Sequence, residues 1–293
     1  MDIALASELI DSQCPELAPS RVLFLGEGCD STAFTVNGQW VFRFPTNEEV
    51  ERQIDIESRI LPTLAERLPV AVPTFRFHAA ASPRFPRRFV GYPKLPGEPA
   101  IRLPPDAVQL EVLSEPLARA LSALHAFPPD AARSAGVPKQ PLEVLLTEVR
   151  IDALDDLPRA REVAPDAPIE RWRAFIEAGV ETGGPRTHTL VHNDLAAEHV
   201  LVDPGTGAIT GIIDWSDIAI SDPVVDFAGL FHWGGEPLVR RVLETYTGSL
   251  NDDALRVARY LAMCRGAMDV AFGLDRGRPE YVAAGLKALQ AGG

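Results

Sequence analysis

Between Pro93 and Pro105 the chain carries Pro93, Pro96, Gly97, Pro99, Pro104 and Pro105. Proline fixes φ and lacks a backbone donor, and glycine leaves the backbone unconstrained, so no regular element runs through such a stretch. The cluster divides the 293 residues into two parts with different periodicities. Before it the pattern is mostly that of strands. Val22–Gly26, Thr32–Val36 and Trp40–Phe44 are β-branched or aromatic runs, and Asn37-Gly38 is the dipeptide that accepts the positive φ angles of a tight hairpin turn. Alternation puts Phe42 and Phe44 on one face of the third run and Val41 and Arg43 on the other, so a charge sits inside an apolar strand. Ile3–Asp11 predicts a short opening helix, and Asn47 caps a helix reaching about Arg67. Thr74–Ala79 and Arg88–Pro93 are further strands. Beyond the cluster the period becomes helical. Leu110, Leu113, Leu117, Leu121 and Leu124 form one apolar stripe, and three helical stretches follow Asp226.

The expected architecture is therefore α+β and bilobal, with a small β-rich lobe over 1–95 and a larger helical lobe over 96–293. A hydrophobic content of 46% is enough for a substantial core. The net charge of −13 argues against partners that demand concentrated Lys and Arg, namely nucleic acid and anionic membrane, and favours a small cationic ligand. No apolar run is long enough to span a bilayer, and Asp2, Glu8 and Asp11 stand where an export signal would be basic and then apolar. Cys14, Cys29 and Cys264 are odd in number and scattered, which reads as reduced thiols in a cytoplasmic protein. A monomer is expected.

The chemistry concentrates in Leu190–Leu230. Val200–Val202 and Ile209–Ile213 read as a hairpin closed by Asp203-Pro204-Gly205-Thr206-Gly207. Asp194 and His199 precede its first strand and Asp214 ends its second, so antiparallel pairing brings all three to one end. Phosphoryl transfer needs a carboxylate near the acceptor hydroxyl and a divalent cation to neutralise the phosphates. Asp194 suits the first task and His199 with Asp214 the second, although a histidine ligand to Mg²⁺ is unusual. His192 reads as a hydrogen-bonding brace of the loop, and Asp222 and Asp226 as a turn cap and a loop anchor.

His192-x-Asp194-x-x-x-x-His199, followed by Ile212-Ile213-Asp214-Trp215-Ser216-Asp217, resembles the catalytic and metal-binding segments of aminoglycoside phosphotransferases. Gly26-Glu27-Gly28-Cys29-Asp30-Ser31 with Trp40–Pro45 resembles that family's nucleotide loop. The runs Leu68–Pro73 and Gly91–Gly97 match as well, so most of the chain is covered. The 2″-phosphotransferases are the most similar subfamily, with macrolide phosphotransferases also close. The resemblance implies a protein-kinase-like fold and a kinase using ATP or GTP with Mg²⁺ on a hydroxyl of a small cationic substrate. It makes Asp194 the catalytic carboxylate and His199 and Asp214 the metal ligands. Gly26, Gly28 and Ser31 become the phosphate loop, and Arg43, oriented by Glu57, the phosphate-binding cation. Tyr92 and Lys94 fall in the Phe89–Leu95 hinge that meets the nucleobase, while Asp217, with Glu198 and Glu236, belongs to an acidic substrate pocket. Arg43 and His199 stand where eukaryotic-like kinases usually carry lysine and asparagine.

Three other readings stay open on the residues alone. The acceptor can be a macrolide or a metabolite alcohol, the chain can be a non-catalytic nucleotide-binding module, or the His and Asp cluster can serve a metal-dependent phosphohydrolase. The last would need neither the glycine loop nor Arg43.

Overall fold

The structure is a computed structural model and describes residues 1–28, 30–103 and 110–292; the expectations for Cys29, Pro104 and Pro105 lie outside the described residues. Backbone contacts gather the chain into two compact units: Met1–Arg67 with Ala71–Pro96, and Leu68–Val70 with Gly97–Gly293.

The first unit holds helix α1 (Ile3–Gln13), strands β1 (Val22–Glu27), β2 (Ser31–Val36) and β3 (Trp40–Pro45), helix α2 (Glu48–Arg67), and strands β4 (Phe77–Ala79) and β5 (Phe89–Pro93). The five strands form one antiparallel sheet in the order β1-β2-β3-β5-β4. Asn37 and Gly38 have φ of 52° and 70°, and the Gln39 amide donates to the Val36 carbonyl, which is the turn that the dipeptide predicts. One face of the sheet builds the core: Phe44 stacks on Phe89 at 4.3 Å between ring centroids and meets Phe34 edge-on at 5.7 Å. The other face receives α2, whose first turn is capped by Asn47 Oδ1 accepting from the Glu49 and Val50 amides. The strand expected over Thr74–Ala79 is shorter, beginning at Phe77.

The second unit contains β6 (Glu98–Pro99) and α3 (Leu110–His125), then α4 (Pro129–Ser134), α5 (Leu142–Asp156) and α6 (Ile169–Ala178). Next come β7 (Thr189–Val191), β8 (Val200–Val202), β9 (Ile209–Ile212) and β10 (Ala219–Ser221). The chain then ends in α7 (Val224–Leu243), kinked at Gly235, α8 (Ala254–Arg276) and α9 (Pro279–Gly292). The predicted leucine stripe is real: Leu113, Leu117, Leu121 and Leu124 are buried on α3. A second apolar cluster joins α5, α6, α8 and α9 through Trp172, Ile176, Tyr260, Met263 and Leu289. Two small sheets sit in this helical frame, β7 with β10 and β6-β8-β9. They present two loops, 192–199 and 213–218. Among the described residues no helix is long and apolar enough to cross a membrane.

Candidate active site

In the second unit the hairpin registers Val200 against Ile212, and the Ile213 amide donates to the His199 carbonyl at 2.9 Å. This pairing brings His199 beside Asp214, with Nε2 3.7 Å from Oδ2. The His199 Nδ1 lies 2.7 Å from the Asp194 carbonyl and 3.4 Å from the Asp194 carboxylate. The predicted trio is thus assembled. Asn193 and Asp214 hold positive φ of 73° and 62°. Such a conformation costs a non-glycine residue free energy and persists only where surroundings dictate it, a pattern concentrated at functional sites. The Ser216 hydroxyl donates to Asp214 Oδ1 and fixes that carboxylate from the other side.

The loop is anchored from below. Asp226, fully buried in the first turn of α7, accepts the His192 amide through Oδ2 and the Asn193 amide through Oδ1. His125, at the end of α3, contacts the same Oδ2 at 3.0 Å and reaches the Tyr246 hydroxyl with its other nitrogen at 2.7 Å. The His192 ring accepts from the Asp194 amide at 3.3 Å and donates through Nε2 to the Ile213 carbonyl at 3.0 Å, tying the two loops together. Burial, reinforced by His199, lowers the His192 pKa and keeps the ring neutral for this pairing. Asp222 Oδ1 caps α7 at the Val224 amide, while its Oδ2 takes Arg186 at 3.1 Å. Gly229 marks the closest approach: a Cβ there would lie 1.5 Å from the Leu195 carbonyl, so α7 runs directly against the loop backbone.

Around His199 the charges are dense. Burial opposes its protonation, but the carboxylates of Asp194, Asp214 and Glu198 prevail and push its pKa up to about 9. Arg265 of α8, unforeseen in the sequence, donates through Nη1 to Asp194 Oδ1 and through Nη2 to Glu198 Oε1 at 2.6 Å. Burial alone would raise the Glu198 carboxyl, yet Arg265, with His199 and His232, holds it well below the usual range. Glu198, expected in an acidic substrate pocket, is 5% exposed, and its charge is engaged by Arg265. Glu236 pairs with Arg240 four residues along α7, also apart from the trio's contacts. Asp217 is exposed in the loop after β9.

In the first unit, buried Arg43 on β3 donates to Glu57 of α2 at 2.8 Å. The sequence signal was the alternation that turned Arg43 away from the phenylalanine face. Gly26 pairs with Ala33 between β1 and β2, and the Gly28 amide donates to the Ser31 carbonyl at 3.1 Å. Among the described residues the Ser31 hydroxyl is buried with no hydrogen-bond partner, and the position of a Gly28 Cβ is open space. Both suit an incoming polyphosphate. Tyr92 is buried at the Val41 register position of β5, and the Lys94 amide is already bonded to the Gln39 carbonyl at 2.7 Å. Lys94 therefore offers its side chain, not its amide.

Among the described residues no three His, Cys, Asp or Glu side chains gather tightly enough to enclose a metal ion. The His199 and Asp214 pair, with its half-exposed carboxylate, would hold Mg²⁺ once the imidazole gives up its proton, leaving positions for the further oxygen ligands that this ion prefers.

The sequence profile described as the phosphotransferase enzyme family matches residues 21–261. The solved GDP and kanamycin complex of APH(2″)-IIIa is 26% identical with a TM-score of 0.72, covering 98% of this chain and 97% of that one. Macrolide 2′-phosphotransferase type I is 30% identical with a TM-score of 0.62, over 95% of this chain and 96% of that one. Viomycin phosphotransferase of Streptomyces vinaceus is 30% identical over 131 residues, 36% of this chain and 45% of that protein.

Proposed function

This chain belongs to the phosphotransferase enzyme family, and from that premise we propose that it transfers the γ-phosphoryl group of GTP or ATP to a hydroxyl of an aminoglycoside. The observation that carries the reading is the convergence of Asp194, His199 and Asp214 at one hairpin end, on a loop anchored by buried Asp226. Asp194 orients the acceptor hydroxyl and accepts its proton as the oxygen attacks phosphorus. His199 and Asp214 would hold Mg²⁺, which when bound would neutralise the phosphate charge. Arg43, kept in place by Glu57, binds the phosphates together with the backbone around Gly28 and the Ser31 hydroxyl. Exposed Asp217 binds an ammonium group of the acceptor. The GDP-bound relative supports trying GTP first, and the overall acidity of the chain supports a cationic acceptor.

A macrolide acceptor is the second reading, favoured by the 30% identity to a macrolide phosphotransferase across nearly the whole chain. One assay separates them: coupled nucleotide turnover with GTP and with ATP, in Mg²⁺, across a panel of aminoglycosides and macrolides. Aminoglycoside-dependent turnover that Asp194→Ala abolishes is the expected outcome. Turnover with macrolides alone selects the second reading, and no acceptor-dependent turnover at all rejects both.

A further inference from the structure

We infer that Arg265 is a positioning residue for this reaction: its guanidinium fork sets the orientation of the Asp194 carboxylate, and Glu198 and Asp269 exist to hold the fork. The inference rests on the kinase reading above for its consequence, though not for its geometry.

Arg265 reaches 71 positions back along the chain to donate to Asp194 Oδ1, and its second terminal nitrogen takes Glu198 Oε1 at 2.6 Å. Its Nε faces Asp269 Oδ2 at 3.7 Å, one helical turn further along α8, and His232 of α7 lies 3.0 Å from that same oxygen. Three carboxylates thus surround one guanidinium. Without it they would repel one another in a partly desolvated setting, and Asp194, the most exposed of the three, would turn outward. A planar fork can bridge two carboxylates at fixed angles, which a single ammonium point charge cannot do.

Both ends of the clamp are rigid. Gly229 seats the Asp194 loop against α7, and Gly266, next to Arg265, packs α8 so closely on α9 that a Cβ would stand 2.9 Å from the Gly285 carbonyl. With Oδ1 taken by Arg265, Oδ2, which lies 3.4 Å from His199 Nδ1, is the oxygen left for the acceptor. Misplacing a reacting group by about an ångström lowers a rate roughly 100-fold.

The test uses Arg265→Met, Arg265→Lys, Asp194→Ala and the Asp194→Ala/Arg265→Met pair. In steady-state turnover Arg265→Met is expected to lower kcat about 100-fold while KM for nucleotide and acceptor stays within about threefold. Arg265→Lys should restore part of kcat, since it returns the charge without the fork. A loss of activity that merely follows the folded fraction, or a rise in KM at unchanged kcat, overturns the proposal. Thermal melts provide a second measurement that needs no turnover. Arg265→Met should lower Tm by a different amount when Asp194 is already alanine, and additive shifts would show that the two side chains are not coupled. If the wild type turns over no acceptor, the kinase reading fails while the melts still decide the clamp. If Arg265→Met does not fold, Arg265→Lys carries both measurements.

Discussion

Arg43 in the first unit and Arg265 in the second both meet carboxylates among the candidate site residues, and they do it differently. In the first, Arg43 on a central strand meets Glu57 on the helix that follows, 14 residues away, and both side chains are almost fully buried. In the second, Arg265 on a long helix gathers Asp194, Glu198 and Asp269, and is itself about a fifth exposed. A buried ion pair holds a cation in place. A shared, partly open cation instead fixes a carboxylate. On the proposed function, the first unit's arginine would serve the phosphates, while the second unit's would keep a carboxylate oriented for the acceptor.

The sharpest break of that comparison is at Asp194 itself. Asp194→Ala should lower kcat about 1000-fold with little change in nucleotide binding, measured by titration with a fluorescent nucleotide, because Arg43, Gly28 and Ser31 are untouched. Next comes the buried pair: Glu57→Gln leaves Arg43 desolvated and only partly compensated, costing about 3 kcal/mol in chemical denaturation and weakening nucleotide binding. Gly229→Ala forces α7 off the Leu195 carbonyl and should cost a similar or slightly smaller amount, about 2 kcal/mol, with a loss of kcat beyond the loss of folded protein. The smallest effect is expected at the cap of α2. Asn47→Ala removes two acceptor contacts and should cost about 1 kcal/mol without altering kcat. If Asn47→Ala changed kcat as much as Gly229→Ala did, the assignment of chemistry to the second unit would be wrong.

Much of the site was legible because its parts are close in sequence. The spacing from Asp194 to His199 and the Asp203–Gly207 turn place Asp214 by strand pairing alone, and Asp222 and Asp226 follow within a dozen residues. Glu198 shows where local reading stops. It was expected in an acidic substrate pocket with Asp217 and Glu236, but its partner is Arg265, 67 positions later. A faint signal existed: Arg265 and Asp269 interrupt the apolar run from Tyr260 to Val270 at i and i+4, which marks a buried polar face on α8. His125 was equally hidden, since nothing around it on α3 announces Asp226 or Tyr246 as partners.

The sequence by itself determined what short-range stereochemistry can enforce. It specified the Asn37-Gly38 hairpin, the burial of Phe42 and Phe44 opposite Arg43, the Asn47 cap, the leucine stripe of α3, and the hairpin that sets His199 beside Asp214. Those features depend on φ preferences and on periods of 2 and 3.6 residues, which operate over a few positions. Which distant charges meet was settled by helix packing. It brought Arg265 to Asp194 and His125 to Asp226, because a buried ion must find whatever partner the folded core places within about 3 Å, however far away along the chain.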